Sequence, residues 1–166
     1  LKIRRVEQKD YQRVLDILNK AIEDRIFTAL LTTTSMEERK DWFIKHSLPM
    51  HPMYVAEIDD HVVGWITLGA FRDGREGFLC TSELSYYIDE NYRGQGIGSK
   101  LMDTAIEAAK EIGCSNLLAV IFDTNIGSQK LAIKKGFKLW GHLPDVIEID
   151  GKTHGCDYWG LKLEKS

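Results

Sequence analysis

The chain reads as a mixed α/β fold, one sheet of about seven strands packed with four helices. Three observations predict it. Apolar residues alternate or run continuously over short stretches, and between these they recur at the spacing of one helical face. Helix start and stop signals sit at the seams. A strand, a helix and another strand follow one another in mid-chain, which implies a locally parallel pair within an otherwise antiparallel order. With 166 residues, 43% of them hydrophobic, the chain is expected to form one domain over 1–166 with one substantial core.

The elements follow in order. Ile3 to Val6 reads as a first strand. Asp10 suits a helix N-cap, and Tyr11, Val14, Leu15, Leu18, Ala21 and Ile22 lie on one helical face. Phe27 to Thr34 is irregular and threonine-rich. Ser35-Met36-Glu37-Glu38 is a capping box opening a second helix that carries Trp42 and Phe43, with Pro49 and Pro52 beyond its end. Met53 to Ile58 and Val62 to Ala70 are strands joined at Asp59-Asp60. A polar loop, Phe71 to Gly77, precedes a long strand from Phe78 to Asp89. Ile97, Leu101, Met102, Ala105, Ala109 and Ile112 give the next helix its apolar face, and Gly113 closes it. Leu117 to Phe122 is a short apolar strand, and Asn125 to Lys135 a helix stopped by Gly136. Phe137 to Ile149 and His154 to Leu163 form a terminal hairpin turning at Asp150-Gly151.

Between the fourth strand and third helix lies Arg93-Gly94-Gln95-Gly96-Ile97-Gly98. A glycine-rich turn opening a helix directs backbone N–H groups and the positive end of the helix dipole at one point, which suits a phosphate. Arg93 adds a positive charge. The run lacks the Lys-Ser/Thr of a P-loop. It is also placed too late, with no acidic partner after the next strand, for a dinucleotide fingerprint. A tight turn at a helix start is the bland alternative. The third pattern, Arg/Gln-x-x-Gly-x-Gly/Ala, is matched by Arg93, Gly96 and Gly98, and here the segment resembles the pyrophosphate loop of the GNAT N-acetyltransferases.

The element order resembles that fold along almost the whole chain, and Asn125, Ser128, Leu131 and Gly136-Phe137 resemble its second motif. Glu83-Leu84-Ser85-Tyr86-Tyr87-Ile88 is similar to the Glu-x-Ser-x-Tyr-Val run of the phosphinothricin acetyltransferase branch, which also contains acyltransferases of methionine sulfone and sulfoximine. The resemblance implies a centrally splayed sheet, with acetyl-CoA as cosubstrate. The backbone of Arg93, Gly94, Gln95, Gly96, Ile97, Gly98 and Ser99 would hold the pyrophosphate, and Asn125 the pantetheine arm. Tyr87 and Ile88 would pair with the pantetheine amides as an extended peptide adds to a sheet edge. The Ile88 N–H would polarise the thioester carbonyl. Glu83 would be the general base. The helix position that carries Tyr in many members, and His in this branch, is Ala132, so no residue is assigned to protonate the leaving thiolate.

The acceptor cleft would be built from Arg25 to Thr34, Phe71 to Arg75 and Trp140 to Trp159. Phe27 would form a wall, and Arg72 and Arg75 would hold a substrate carboxylate. The hairpin around Leu143-Pro144-Asp145-Val146 departs from the phosphinothricin pattern. The reaction implied is acetyl transfer to the amine of an amino acid or analogue. A polyamine or protein amine is the alternative acceptor, and a non-catalytic acyl-CoA sensor the alternative class.

A net charge of −3 with interspersed signs argues against a nucleic-acid surface. The three cysteines show no metal or disulfide spacing, and the five histidines read as surface or loop residues, so no metal is expected. No apolar run approaches a membrane span, and the first residues lack a signal-peptide core, which gives a cytoplasmic expectation. Branch members commonly form homodimers, and the resemblance extends that expectation here.

Overall fold

The computed structural model describes residues 1–164. A seven-stranded sheet has the order β1-β2-β3-β4-β5-β7-β6. Its strands are β1 (Lys2–Arg5), β2 (Met53–Ile58), β3 (His61–Ala70), β4 (Thr81–Ile88), β5 (Asn116–Phe122), β6 (Lys138–Ile149) and β7 (Lys152–Lys162). The helices are α1 (Tyr11–Glu23), α2 (Met36–Ser47), α3 (Ile97–Glu111) and α4 (Ile126–Lys134). All neighbouring strands are antiparallel except β4 and β5, which α3 connects. The order of elements and the parallel pair match the sequence-based expectation.

That parallel pair is short. Register runs from Thr81↔Asn116 to Leu84↔Ala119 and stops, while β4 stays paired with β3 to Ile88 and β5 with β7 to Phe122. The sheet therefore splays at its centre, as the family resemblance implies. Each half of the V is held by its outer neighbour.

The core divides across the sheet. One cluster packs Val14, Leu15, Leu18, Ile22 and Phe43 from α1 and α2 against Met53, Val55 and Trp65. The other packs Ile97, Leu101, Met102 and Ala105 of α3 and Ala132 of α4 against Ile66, Leu68, Leu84, Leu117 and Ala119. Strand alternation assigns the side chains of β4 to these faces. Leu84, Tyr86 and Ile88 join the α3 side, and Tyr87 joins the α1 side.

Local chemistry explains most boundaries. Ser35 accepts from the Glu38 N–H at 3.2 Å while the Glu38 carboxylate accepts from the Ser35 N–H at 2.8 Å, completing the capping box of α2. Leu48, extended before Pro49, ends it. Asp150 and Gly151 both have positive φ, 51° and 76°, the backbone of a hairpin turn that follows the twist of its strands.

Four expectations need correction. Asp10 does not cap α1 through its side chain. Its carboxylate accepts from Arg4 at 2.7 and 3.0 Å and from the Glu7 N–H at 2.8 Å. Arg4 also donates to Glu57 at 2.6 Å, so the group ties β1 and β2 to the turn before α1. β4 begins at Thr81 because Glu76–Phe78 forms a 3-10 turn. β7 begins at Lys152, paired with Ile149, which places the tight turn at its two central residues. His46 is a core residue, 4% exposed on α2. Burial lowers its pKa to about 4, which keeps the imidazole neutral at pH 7.

Burial works against ionisation of Asp10, yet Arg4 and the Glu7 N–H hold its pKa below the ordinary 3.8. A depressed carboxylate pKa stabilises the fold above the ordinary value and loses that contribution as pH falls through the folded-state value. Asp10→Asn is therefore expected to cost about 1.5–3 kcal/mol at pH 7, the worth of hydrogen bonds to a charged group. In urea unfolding, the gap between wild type and variant should close as pH is lowered below 4.

Candidate active site

The splay opens a cleft of about 510 Å³ between β4 and β5, floored by the start of α3 and one face of α4. Of the residues singled out in the sequence, Phe27, Tyr87, Ile88, Arg93, Gly94, Gly96, Ile97, Gly98, Ser99 and Asn125 line it. Gln95 is exposed beside it and is not among the lining residues.

The glycine loop has the conformation the sequence pattern requires. Gly94 and Gly96 sit at φ 75° and 80°, the left-handed region that glycine enters without strain. Gly96 is the N-cap of α3 and has no side chain to satisfy the first-turn N–H groups, which leaves these donors for an anion. A Cβ at Gly98 would press on Leu131 at 3.2 Å and on the Tyr86 ring at 3.4 Å, so the helix start approaches β4 and α4 closely.

Backbone parity decides what β4 presents to the cleft. The Asp89 N–H bonds the Val63 carbonyl on β3 at 2.9 Å. Alternate residues of an antiparallel strand point both backbone groups to the same neighbour, so Tyr87 and Ser85 face β3. The N–H groups of Ile88 and Tyr86 face the cleft, where β5 no longer pairs with them. The Ile88 and Tyr86 N–H groups are thus left unpaired by the sheet, whereas the backbone of Tyr87, also singled out in the sequence, is spent on β3. Tyr87 lines the cleft while its side chain packs on the α1 side. Its ring lies 5.0 Å from that of Trp65, and burial pushes its pKa up.

Asn125 accepts from the Ser128 N–H at 3.2 Å and so caps α4 while lining the cleft. Tyr86 donates to the Ser128 hydroxyl at 2.8 Å, and burial raises its pKa, so the phenol keeps its proton at neutral pH. Tyr86, Ser128 and Leu131, which the sequence marked only as motif positions, also line the cleft, and Tyr92 and Lys134 join them without having been singled out. Asn125, Ser128, Leu131 and Lys134 recur every third residue along α4, a spacing that could have marked them as one face.

Glu83 shares the alternation of Tyr87 and so projects on the α1–α2 side of β4. Its pKa is raised by burial alone, with no hydrogen bond or opposite charge to offset it. Its charge is felt at Tyr87 on β4 and at Cys156 on β7. Arg72 and Arg75 are exposed in the β3–β4 loop and do not line the β4–β5 cleft. That loop does fold over the Glu83 side. Arg72 lies 5.9 Å from the Phe78 ring, Phe78 stacks edge-on with Phe71, and Phe71 approaches Tyr158 of β7 at 6.5 Å.

The guanidinium of Arg93 is engaged on the protein. Nε donates to the Ile88 carbonyl at 3.3 Å, Nη2 lies 3.5 Å from the Asp24 carboxylate, and the group stands 4.5 Å over the Phe27 ring. The phosphate-facing charge expected of it is directed instead at the loop after α1.

A free strand edge thus lies beside a glycine cradle at a helix start, with a half-buried carboxylate across the strand. Residues 17–137 match the acetyltransferase (GNAT) family. The chain belongs to that family. It is 38% identical, over 97% of its length and 98% of the relative's, to YwnH of Bacillus subtilis, provisionally named a phosphinothricin acetyltransferase. It is 29% identical, over 93% of its length and 90% of the relative's, to an L-methionine sulfoximine/L-methionine sulfone acetyltransferase of Pseudomonas paraeruginosa. The structure of yncA from Salmonella typhimurium with its cofactor acetyl-CoA superposes with a TM-score of 0.94 at 26% identity, covering 99% of this chain and 95% of that one.

Gly64 of β3 lies opposite Ile88. A Cβ there would meet the Ile88 Cδ1 at 2.8 Å and the Tyr87 carbonyl oxygen at 3.2 Å. Gly64→Ala is expected to cost about 1–3 kcal/mol in overpacking and to displace the free edge of β4. Urea unfolding should show the destabilisation, and calorimetry a raised Kd for acetyl-CoA.

Proposed function

We propose that the chain transfers the acetyl group of acetyl-CoA to the amine of a small amino acid or analogue, of the phosphinothricin or methionine sulfoximine type, by direct attack in a ternary complex. The observation that carries this reading is the pair of faces on β4. Ile88 and Tyr86 offer free N–H groups to the cleft, and Glu83 stands on the opposite face of the same strand. The names of the relatives point to the same acceptor class.

In this reading the N–H groups of Gly94 to Ser99 hold the pyrophosphate at the α3 terminus. The pantetheine arm lies along β4 as an added strand, passing Asn125. The Ile88 N–H is aimed at the thioester oxygen, where donors to developing negative charge are worth about 3 kcal/mol. Glu83 takes a proton from the substrate ammonium, directly or through one water. The free amine attacks the carbonyl carbon, the C–S bond breaks, and the second proton that the nitrogen sheds on becoming an amide reaches the leaving thiolate through water, since Ala132 supplies none. Fixing both reactants in one cleft supplies the orientation that a bimolecular reaction lacks. Phe27 lines the wall, and Arg72 and Arg75, above the Glu83 side, attract the acceptor carboxylate.

We read the protein as a cytoplasmic homodimer that uses neither metal, nucleic acid nor membrane. Support for self-association comes from edge strand β6, where Leu139, Trp140, Leu143 and Val146 are exposed, an apolar strand edge of the kind that proteins cover. No α-helix of the described residues is long and apolar enough to cross a membrane.

Thiol release from acetyl-CoA with L-methionine sulfoximine tests the reading, and Glu83→Gln sharpens it. The variant should lose about 10²–10⁴ in kcat, the usual worth of a general base, while binding acetyl-CoA with an unchanged Kd. Because burial raises the Glu83 pKa, kcat/KM of the wild type should climb with pH through a pKa above 4.5. That limb should vanish in the variant. A variant that keeps both turnover and limb removes Glu83 from the chemistry.

A further inference from the structure

Two elements meet at Arg93. One is the free edge of β4, through the Ile88 carbonyl. The other is the segment after α1, through Asp24 and the face of Phe27. That segment is shaped by its own contacts. Arg25 has a positive φ of 63° and donates to the Leu31 carbonyl at 2.7 Å. The Asn19 side chain clamps the N–H and C=O of Thr34, both at 2.9 Å. Thr28 is buried against the sheet, 8% exposed. Toward the cleft, Phe27 is the only lining residue that the segment contributes. Arg93 is the group that seats it.

We propose that Arg93 is a positioning residue for the acceptor side: its guanidinium holds the Phe27 wall of the α1–α2 segment against the Ile88 peptide, and it does not serve as a phosphate ligand. The inference rests on the acetyl-transfer reading above. Three features favour it. The guanidinium plane satisfies three different demands at once, a carbonyl, a carboxylate and an aromatic face, which suits arginine and not a point charge. Its positive charge is already met by Asp24, which also receives Lys20 at 2.7 Å, so a bound phosphate would have to compete with a formed network. Anchoring the Ile88 carbonyl holds the Ile88–Asp89 peptide, the one that follows the Tyr87–Ile88 peptide whose N–H faces the cleft. The cofactor edge and the acceptor wall thus share one tether, and displacing it should loosen the wall first.

The test compares Arg93→Ala and Arg93→Lys with the wild type, using acetyl-CoA and L-methionine sulfoximine as probes. Lysine retains the charge and loses the plane. The expected result is a KM for the acceptor raised about five- to tenfold in both variants, the size of a lost cation–π contact and hydrogen bond. The acetyl-CoA Kd by calorimetry should stay within about twofold of the wild type. Asp24→Asn should raise the acceptor KM in the wild type and add little to Arg93→Ala. Amide hydrogen exchange over residues 24–34, measured with acetyl-CoA alone, should quicken in both Arg93 variants. The opposite pattern would overturn the proposal: an acetyl-CoA Kd weakened about tenfold in the alanine variant and restored by lysine, with acceptor KM and exchange unmoved. Should the wild type acetylate no small amine, the acetyl-transfer reading fails by itself, and the exchange and Kd measurements still decide the role of Arg93.

Discussion

The structure depends on one break in pairing. β4 and β5 are neighbours for four residues and then part, each kept extended by a different partner. Were they paired to their ends, the N–H groups of Tyr86 and Ile88 would be spent on β5 and the cleft would not exist. An open edge in the middle of a sheet would be a defect in a purely structural protein, because backbone groups left unmet away from water are costly. Here the cost is contained by keeping the gap open to ligand and solvent, and by closing its far end with the Leu84↔Ala119 pair.

The same strand separates two electrostatic environments. Toward α3 it presents neutral donors, next to a helix start that favours negative charge. Toward α1 and α2 it presents Glu83, among aromatic residues, in a setting that raises its pKa. A single β-strand can do this because successive side chains alternate faces while successive backbone groups alternate edges. A carboxylate and a helix start that favours negative charge would interfere if they shared a face. The sheet sets the two on opposite sides.

Much of this was legible in the sequence, and the exceptions share a cause. Elements governed by local chemistry came through: the Ser35–Glu38 capping box, the Asp150-Gly151 turn, and the glycine loop at the start of α3. What failed depended on partners distant in the chain. Asp10 has the residue type and place of an N-cap, and only the approach of Arg4, itself shared with Glu57, redirects its carboxylate. His46 reads as a surface residue of a polar helix until the helix is laid on the sheet. Which of Tyr86 and Tyr87 offers its N–H to the cleft depends on β3 register, anchored by Asp89 to Val63. Glycine and arginine in the loop announce an anion site, but nothing local says that Asp24 and Phe27 will claim the Arg93 side chain.

The segment leading into the glycine loop is itself held to α1 from two points. Asp89 caps the turn before Arg93, accepting from the Asn91 N–H at 2.8 Å, and it also pairs with Arg13 of α1. Arg13 in turn donates to the Val62 carbonyl on β3 at 3.0 Å. At the far end of the helix, Asp24 meets Arg93. α1 thus bridges the entry and exit of the short turn that leads from β4 into the glycine loop. Each pair is partly exposed, and alone would be worth little. Together they lie at both ends of a rigid helix whose apolar face is fully packed on the sheet, so neither can shift without moving the other. A loop rich in glycine gains its defined shape from this frame, because its own backbone, free to adopt positive φ, does not supply it.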